Sequence, residues 1–341
     1  MKKGAAIKYI IITALVAGSS LGGNSQDIHF SQFYEAPLLR NPSLAGIFTG
    51  DIRVQAVYRD QWNNVANAYK TGSLNGEYKM PVGQADDFMT LGMQVLFDRA
   101  GTIGWTSTHL LPALNFHKSV SADKNRYLSV GFMGGMVQRY FDRSKMTTNS
   151  QYDNGGADGE NLANTRYHYI DGSAGISYNA TINDNPDHNF YLGLAFHHFH
   201  RPQQSFYRNA NIELNPKWVL SGGLRLGVGD YAFMTMMADH SSQGTYQETV
   251  AGALYGLKLG PDPDKPDYIV HGGTFLRWND ALIPVIKVDY MPFSFSLSYD
   301  VNISKLKPSS YGRGGFELAL SYTGFLDKAN SSIQAVMCPR F

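Results

Sequence analysis

Three histidines stand within four residues in the stretch HHFHRP, which spans His197–Pro202. If this stretch is a strand, His198 and His200 share one face, whereas His197 points to the other. Two histidines of one strand can form part of a zinc site, but no Cys, Asp or Glu accompanies them nearby. The pattern therefore favours histidines at a water-facing rim, where a strand passes into a loop, and we predict no metal.

The stretch YDNGGADGEN (Tyr152–Asn161) places Asp153, Asp158 and Glu160 among glycines. Carboxylate oxygens on a flexible loop are suitable ligands for calcium. The spacing of these acidic residues does not match an EF-hand loop, and no helices are predicted beside it. A solvated surface loop is the favoured interpretation.

Nucleophilic catalysis has little support in the sequence. The chain contains no G-x-S-x-G motif, and GRGG (Gly312–Gly315) lacks the Lys-Ser/Thr pair of a phosphate-binding loop. Serines and the scattered histidines His109, His117 and His168 can still converge in space, which a sequence alone does not exclude. We expect no enzymatic activity, no cofactor and no small-molecule substrate.

The elements that position these residues are strands, and the clearest ones lie in Phe293–Phe325. From 293 to 301 the odd positions are aromatic or aliphatic, and the even ones are serine or aspartate. The same alternation returns from Phe316 to Thr323, with Glu317 on the polar side. Each half is therefore a strand with one apolar and one polar face, long enough to cross a bilayer when tilted. A water-soluble sandwich can contain the same hairpin.

The composition favours a membrane protein. Charged residues make up 17% of the 341-residue chain, which contains 35 Gly, 21 Tyr and 19 Phe. A soluble domain carries about 25% charged residues, whereas a barrel with a lipid-facing wall is rich in aromatic residues. A secreted soluble β-protein shares part of this composition and stays as an alternative. The net charge of +1, without a dense Lys/Arg run, indicates no nucleic acid partner.

The N-terminus predicts export. Lys2, Lys3 and Lys8 precede the apolar run Tyr9–Ala17, which has the layout of a secretory signal peptide and is too short to span a membrane. We predict a signal peptide at 1–25, an irregular arm or plug-like segment at 26–50, and an outer-membrane barrel at 51–341. The arm can fold into the barrel mouth or lumen, or hang in the periplasm. The single cysteine, Cys338, cannot form an internal disulfide.

From Asp51 onward the chain predicts one strand after another, about fourteen in all. We therefore predict an all-β fold, a transmembrane antiparallel β-barrel of outer-membrane type, for which even strand numbers are usual. Arg225 in the middle of one strand fits a water-filled or plugged lumen better than a dry sandwich core. Short turns on one side and long loops on the other are typical of such barrels. We expect tight turns at Val228–Tyr231, Trp278–Leu282 and Asp289–Phe293, and long polar loops at Lys145–Thr165 and His200–Leu214.

An ordered set of motifs along the mature chain resembles the PorP/SprF family of outer-membrane proteins, which is associated with type IX secretion and gliding motility. The set runs from HFSQFYEAPLLRNPSLAG through YRDQW, FDRAG, YLGLAFHHF and LRWNDA to SYDVNISKL, GRGGFELALSY and the final CPRF. The resemblance implies an outer-membrane barrel that works with the type IX machinery. Its partners would be the membrane lipid and either periplasmic components or the C-terminal domain of a secreted surface protein such as an adhesin.

The family has no established catalytic residues, so the resemblance assigns none here. Within its motifs, Gly46, Gly101 and Gly312 would serve turns, and Asp300 and Glu317 would be lumen-facing charges. The leading hypothesis is a non-enzymatic module that helps to export or anchor a partner protein at the cell surface. Charged residues of the long loops are then candidates for partner binding: Lys145, Asp153, Asp158, Glu160, Arg201 and Arg208.

Two other functions stay open. A passive porin or FadL-like channel for apolar solutes would use the lumen as a pore, lined by Arg53, Arg225, Asp300 and Glu317. A barrel lipid hydrolase would require a Ser/His pair within hydrogen-bonding reach near a rim. An open lumen would favour the channel, whereas an occluded lumen would favour the anchoring module.

Overall fold

A computed structural model describes residues 27–61, 69–83, 86–121, 125–147, 151, 164–182, 185–206, 212–304 and 313–326. Its strands form one closed antiparallel barrel of fourteen strands, in which β14 closes on β1. The predicted all-β barrel of about 14 strands is therefore confirmed. The strands are β1 (Ile52–Gln61), β2 (Tyr69–Pro81), β3 (Phe88–Ala100), β4 (Trp105–Ser119), β5 (Arg126–Tyr140), β6 (Arg166–Ile182), β7 (Asn185–His197), β8 (Lys217–Gly227), β9 (Ala232–Gln243), β10 (Tyr246–Leu259), β11 (Tyr268–Arg277), β12 (Ala281–Tyr290), β13 (Phe293–Asn302) and β14 (Arg313–Gly324).

The barrel wall is apolar outside and polar inside, as the alternation in the sequence predicts. In β13, Phe295 and Leu297 are 55% and 48% exposed, whereas Ser298 and Asp300 are 1% and 2% exposed. An outward apolar face of this kind is stable where it contacts lipid. Among the residues that the structure describes, no helix is long and apolar enough to cross a membrane.

The two ends of the barrel differ in the length of their connections. The connections 141–165 and 198–216 lie at one end, which we call the long-loop end. The other end, which we call the short-turn end, carries connections no longer than 260–267. In outer-membrane barrels short turns face the periplasm and long loops face outward. The tight turn predicted at Trp278–Leu282 is observed at 278–280 but lies at the long-loop end, because it joins β11 to β12.

Residues 27–51, which we call the arm, run through the barrel interior. Lys217, at the long-loop end of β8, holds Asp27 through an ion pair of 3.2 Å. The N–H of Asp51 donates to the carbonyl of Gly324 at the short-turn end of β14, at 2.9 Å. The arm contains 3-10 turns at Phe33–Glu35 and Pro42–Leu44 and one short helix, α1 (Pro37–Arg40). Proline begins α1 and the second 3-10 turn, where its missing N–H costs no hydrogen bond.

Apolar side chains of the arm form the hydrophobic core with inward residues of the wall. Phe33 packs edge-on against Phe275 of β11, with ring centroids 5.5 Å apart. Leu38 of α1, which is fully buried, belongs to a cluster with Leu111 of β4 and Met133 of β5. The core of the described residues therefore consists of several small clusters, most of which join the arm to the wall.

One strand ends earlier than predicted, and this changes the position of the histidine cluster. The structure ends β7 at His197, and His198 has a φ of 56°. A left-handed backbone conformation terminates an extended strand. His197 and His198 are therefore both buried at 5% exposure, whereas His200 is exposed. The prediction that His198 and His200 share a face is wrong.

The predicted signal peptide (1–25) lies outside the described residues, as does the end of the predicted barrel domain (327–341).

Candidate functional site: the arm inside the barrel

A buried charge network joins the first part of the arm to the barrel wall. Arg59 lies 2.9 Å from Asp300 and 3.2 Å from Glu317. The two carboxylate oxygens of Glu317 also accept hydrogen bonds from the backbone N–H groups of Ser31 (2.6 Å) and Gln32 (2.8 Å). One wall carboxylate is thus shared between a wall cation and the backbone of the arm.

Asp300 extends this network to a second arginine. Its carboxylate lies 3.1 Å from Nη1 of Arg277 and accepts a hydrogen bond of 2.6 Å from the Ser31 hydroxyl. Nη1 of Arg59 donates to the carbonyl oxygen of His29 at 2.7 Å. A buried charge is tolerated when it is paired and hydrogen-bonded, and both conditions hold here.

Two charged side chains of the arm reach the wall further along. Glu35 pairs with Lys287 of β12 at 2.7 Å and accepts a hydrogen bond from Gln55 of β1 at 3.0 Å. Arg40 makes a bidentate pair with Asp239 of β9, with both distances 2.5 Å. A two-point arginine–carboxylate pair fixes orientation as well as distance. These contacts hold the middle of the arm against β9 and β12.

The end of the arm is held by Glu77 of β2. Its carboxylate accepts from the Gly46 N–H at 2.7 Å and pairs with Arg53 at 2.7 Å. Lys79 of the same strand donates to the carbonyl oxygen of Phe48 at 2.8 Å. The arm therefore stays attached to the wall up to the residue before β1.

Carbonyl groups in the irregular middle of the arm are satisfied by wall side chains. The amide of Asn115 donates to the carbonyls of Ser43 (2.7 Å) and Ala45 (2.8 Å). Nε2 of His117 lies 2.7 Å from the carbonyl oxygen of Ala45, and Nε2 of His197 lies 2.9 Å from that of Arg40. Buried backbone groups outside regular secondary structure need such partners. The polar inner wall is therefore complementary to the backbone of the arm.

Glycines in β5 and β6 let the arm approach the wall. A Cβ atom added to Gly131 would lie 2.5 Å from the carbonyl carbon of Pro42 and from the nitrogen of Ser43. In β6, a Cβ atom on Gly175 would collide with the Asn41 side chain. Backbone this close leaves no room for any side chain other than glycine.

A cavity of about 400 Å³ remains between the arm and the wall at the short-turn end, and we call it the vestibule. Its deep apolar part includes Tyr34 and Phe48 of the arm and Phe233 of β9. Arg225 lies over the Phe233 ring, with its guanidinium carbon 3.6 Å from the ring centroid. The vestibule rim carries Thr49 of the arm and Thr323 of β14. The arm thus fills the barrel at the long-loop end and leaves an amphipathic space at the other end.

A compact ionic cluster holds the beginning of the arm at the long-loop end. His198 lies 2.7 Å from Asp171 and 3.4 Å from Asp27. Burial by itself lowers the pKa of His198, but hydrogen bonds to Asp171 and Asp27 outweigh burial and raise this pKa to about 9. Burial by itself raises the pKa of Asp27, but the charges of Lys217 and His198 outweigh it, so that this pKa lies well below its ordinary value. His198 and Asp27 are therefore both charged near neutral pH.

The connection after β7 packs over the same end of the barrel. Phe206 contacts the rings of Trp105, Phe141 and Tyr167 edge-on, with centroid distances of 5.0, 4.9 and 4.6 Å. Gln204 accepts a hydrogen bond from Arg139 at 2.6 Å. The described part of this long connection is therefore attached to the barrel rim and presents a defined surface.

A family model described as type IX secretion system membrane protein PorP/SprF matches residues 22–322. The chain belongs to the PorP/SprF family. This PorP/SprF protein is accordingly a membrane component of type IX secretion, and its barrel fold places it in the outer membrane. The predicted resemblance and location are confirmed, and a search of curated proteins gives no match.

This PorP/SprF protein is similar to several solved outer-membrane proteins, at low sequence identity and with TM-scores below 0.5. The toluene transporter TbuX of Ralstonia pickettii is 12% identical, with coverage of 86% of this chain and 94% of that chain and a TM-score of 0.46. The translocator domain of NalP from Neisseria meningitidis is 9% identical, with coverage of 94% and 95% and a TM-score of 0.38. CdiB from Acinetobacter baumannii is 8% identical, with a TM-score of 0.43, and the match covers 80% of this chain but only 60% of CdiB.

The four charges predicted to face the lumen have buried side chains inside the barrel. Arg53 pairs with Glu77, whereas Asp300 and Glu317 share Arg59. Arg225 lies at the vestibule, with Nη2 3.6 Å from Asp187. Three of the four therefore belong to contacts that hold the arm.

The candidate partner-binding residues are only partly described. Lys145 is half-exposed and lies 3.4 Å from Asp142. Arg201 is exposed, has a φ of 49°, and its N–H donates to the carbonyl of His198 at 2.9 Å. Both lie at the long-loop end. The other four candidates lie outside the described residues: Asp153, Asp158, Glu160 and Arg208.

Sequence reasoning missed Arg59, the cation at the centre of the network. The pattern of the sequence predicts a first strand at Ile52–Tyr58, whereas β1 continues to Gln61. Extending the two-residue period from Arg53 through Gln55 would have placed Arg59 on the inner face. Glu35 and Arg40 were also missed, and the irregular arm carries no periodic signal that could identify them.

Serine–histidine pairs do occur in the barrel: two of them contact the arm, and a third joins Ser107 to His109 of β4 at 2.9 Å. Ser129 lies 2.6 Å from Nδ1 of His117, and Ser173 lies 2.9 Å from Nδ1 of His197. The other nitrogen of each ring contacts an arm carbonyl, so both pairs are covered by the arm. Within the described residues, no group of three or more His, Cys, Asp or Glu side chains is placed to hold a metal ion.

Proposed function

We propose that this PorP/SprF protein is a non-enzymatic membrane mount, which helps to export or hold a partner protein at the cell surface. The observation that carries this proposal is the arm, which occupies the lumen along its length. A barrel filled in this way supports a partner at its ends and does not pass a polypeptide through its own interior.

The contacts that attach the arm to the wall support the proposal that the arm is a permanent plug of the lumen. Three charged side chains of the arm pair with the wall: Asp27 with Lys217, Glu35 with Lys287 and Arg40 with Asp239. Separating one buried pair costs on the order of 3–5 kcal/mol. Withdrawal of the arm would separate all three pairs and expose the core clusters.

The long-loop end is the better candidate for the surface that binds the partner. It carries the two long connections and the exposed Lys145 and Arg201, and the packing of Phe206 makes part of this end rigid. Loops on a rigid barrel can acquire binding residues without disturbing the lipid-facing wall. The partner at this end would be the C-terminal domain of a secreted surface protein, whereas periplasmic components of type IX secretion would meet the short-turn end.

The test is a mild-detergent pull-down of the tagged protein from its native outer membrane, followed by mass spectrometry. The decisive variant replaces 148–163 with a short Gly/Ser linker, and the matched control receives an equal linker inserted at 262–265 in the short-turn end. We expect the wild type and the control to retain a secreted partner and the loop variant to lose it. Retention by all three proteins would contradict binding at this loop.

The vestibule favours a second candidate function, a route for apolar solutes. Its volume and its aromatic lining could admit a small apolar molecule from the short-turn end. Conductance and solute uptake of the purified barrel in lipid bilayers separate the two functions. The mount predicts neither activity, whereas steady conductance or uptake would favour the channel.

A further inference from the structure

We propose that the vestibule is a binding site for a neutral small molecule that has an apolar body and one hydroxyl or N–H donor. The inference rests on the cavity that the second candidate function also uses. It requires that a ligand binds in this cavity, not that the ligand passes through the barrel. It does not depend on the partner that the barrel holds.

The vestibule is open at one end and closed at the other. Asp264 and Met291, which are exposed residues of short turns, line its mouth. At the inner end, Met237 and Leu254 line the cavity and also belong to the core cluster that contains Phe33 of the arm. The packed arm therefore closes the inner end. The volume of about 400 Å³ is within the usual range of small-molecule sites.

The depth of the vestibule favours an apolar body. Its lining there consists of aromatic and aliphatic side chains of the arm, β9 and β10, each at most 5% exposed: Phe48, Phe233, Met237 and Leu254. A ring or a short alkyl chain placed against these side chains removes apolar surface from water. Sites that bind small molecules combine such walls with a few polar groups that fix the orientation of the ligand.

The charges of the lining favour a neutral ligand. Basic side chains of the vestibule already lie close to carboxylates: Arg53 is 2.7 Å from Glu77, Lys287 is 2.7 Å from Glu35, His271 is 2.8 Å from Asp289 and Arg225 is 3.6 Å from Asp187. A charged ligand would have to compete with these pairs and would also lose its hydration. A neutral ligand avoids both costs.

A buried acceptor in the lining requires a donor from the ligand. Gln55 lines the vestibule and is 4% exposed. Its Nε2 donates to the carboxylate of Glu35 at 3.0 Å, which fixes the orientation of the amide. Oε1 of Gln55 is buried and has no hydrogen-bond partner among the described residues. Because a buried acceptor is costly to leave unsatisfied, a ligand hydroxyl or N–H that reaches it gains affinity.

Protection of a cysteine in the lining tests the site, with naphthol as the probe and its methyl ether as the matched molecule without a donor. The reporter is Thr235→Cys in a Cys338→Ser background, because Thr235 is buried and lines the vestibule. Labelling of the purified barrel in lipid nanodiscs by a polar maleimide is followed at known free concentrations of each probe. Asp262→Cys is the control, since Asp262 is exposed at the same end of the barrel and lies outside the lining.

We expect naphthol to slow the labelling of Thr235→Cys at a free concentration about tenfold lower than the ether requires, because the ether leaves Oε1 of Gln55 without a donor. The labelling rate of Asp262→Cys should not change with either probe. Equal protection by the two probes would overturn the role of the donor. Absence of protection by both probes, or equal slowing at Asp262→Cys, would overturn the site itself.

A second variant tests Gln55 directly. Gln55→Met keeps the length of the side chain and removes the acceptor, so the two probes should then protect Thr235→Cys at equal free concentrations. If Gln55 only supports Glu35, its loss would weaken both probes by the same factor and leave the advantage of naphthol unchanged, which would overturn the proposal. Failure here leaves the other proposals separately testable, because the mount is measured by partner retention and the channel by conductance and uptake.

Discussion

Arg59 and Glu317 lie opposite each other where the barrel closes, in register between β1 and β14, with Nε and Oε1 3.2 Å apart. Both side chains are almost completely buried. Because Glu317 also binds two backbone N–H groups of the arm, closure of the barrel and attachment of the arm depend on the same carboxylate.

Substitution of Glu317 should therefore destabilise the barrel and release the start of the arm. Glu317→Gln leaves Arg59 with one carboxylate instead of two, and we expect a loss of stability on the order of 3–5 kcal/mol. The measurement is the temperature at which the folded barrel loses its characteristic gel mobility. Asp280→Asn is the control, since Asp280 pairs with Arg277 but is 47% exposed, and its loss should cost less than about 1 kcal/mol. Equal effects of the two substitutions would contradict the shared role of Glu317.

A single added methyl group should displace the middle of the arm. Gly131→Ala places a Cβ atom against the backbone of Pro42 and Ser43, and overpacking of this kind costs about 1–3 kcal/mol. We expect faster cleavage of the arm in limited proteolysis of the purified barrel. Gly76→Ala is the matched control, because a Cβ atom at Gly76 in β2 would have no neighbour within 4 Å. The idea fails if both variants resist protease equally.

The attachment of the start of the arm should weaken at alkaline pH. The pKa of His198 is about 9 in the folded protein, compared with an ordinary value of 6.5. Because the folded pKa is the higher one, the stabilising contribution is complete below about pH 6.5 and is lost as the pH rises through 9. Asp27 and Asp171 contact His198 directly, and Lys217 pairs with Asp27. Other titratable groups near this cluster include His109, Arg139, Tyr169 and His197.

Protease cleavage near residue 27, followed from pH 6 to pH 9.5, measures this effect. We expect cleavage of the wild type to accelerate above about pH 8, whereas His198→Asn should be cleaved at a rate that depends far less on pH. Asparagine is chosen because it tolerates the left-handed backbone at this position. A similar pH dependence in both proteins would show that another group controls the attachment.

The path of the arm predicts on which side of the membrane the arm begins. Asp27 lies at the long-loop end, so a specific protease site inserted directly before it should share the accessibility of a site inserted at 203–205. A site inserted at 229–230, in a short turn, should show the opposite accessibility. The measurement compares protease cleavage of the protein in intact cells with its cleavage in permeabilised cells. Cleavage that follows the short-turn site would mean that the arm enters from the other end.

Local alternation in the sequence determined the wall of this barrel. In Phe293–Val301 and Phe316–Thr323 the side chains alternate between the outer and the inner side of the wall. This two-residue period is a property of each strand alone, so it can be recognised without knowledge of the neighbouring strands. The inner positions of Arg53, Arg225, Asp300 and Glu317 follow from the same period. The ordered motifs of the chain also indicated its family, because they extend over nearly all of it.

Only the tertiary structure decided what fills the barrel and how. Ser31 and Glu317 are separated by 286 residues, and Arg40 and Asp239 by 199, so no local pattern connects them. The arm has no regular period because its internal backbone hydrogen bonds form only short turns, and side chains of the wall satisfy other backbone groups. Its conformation therefore depends on a closed barrel that positions Asn115, His117, His197 and Glu317 around it, and closure is a property of the whole chain.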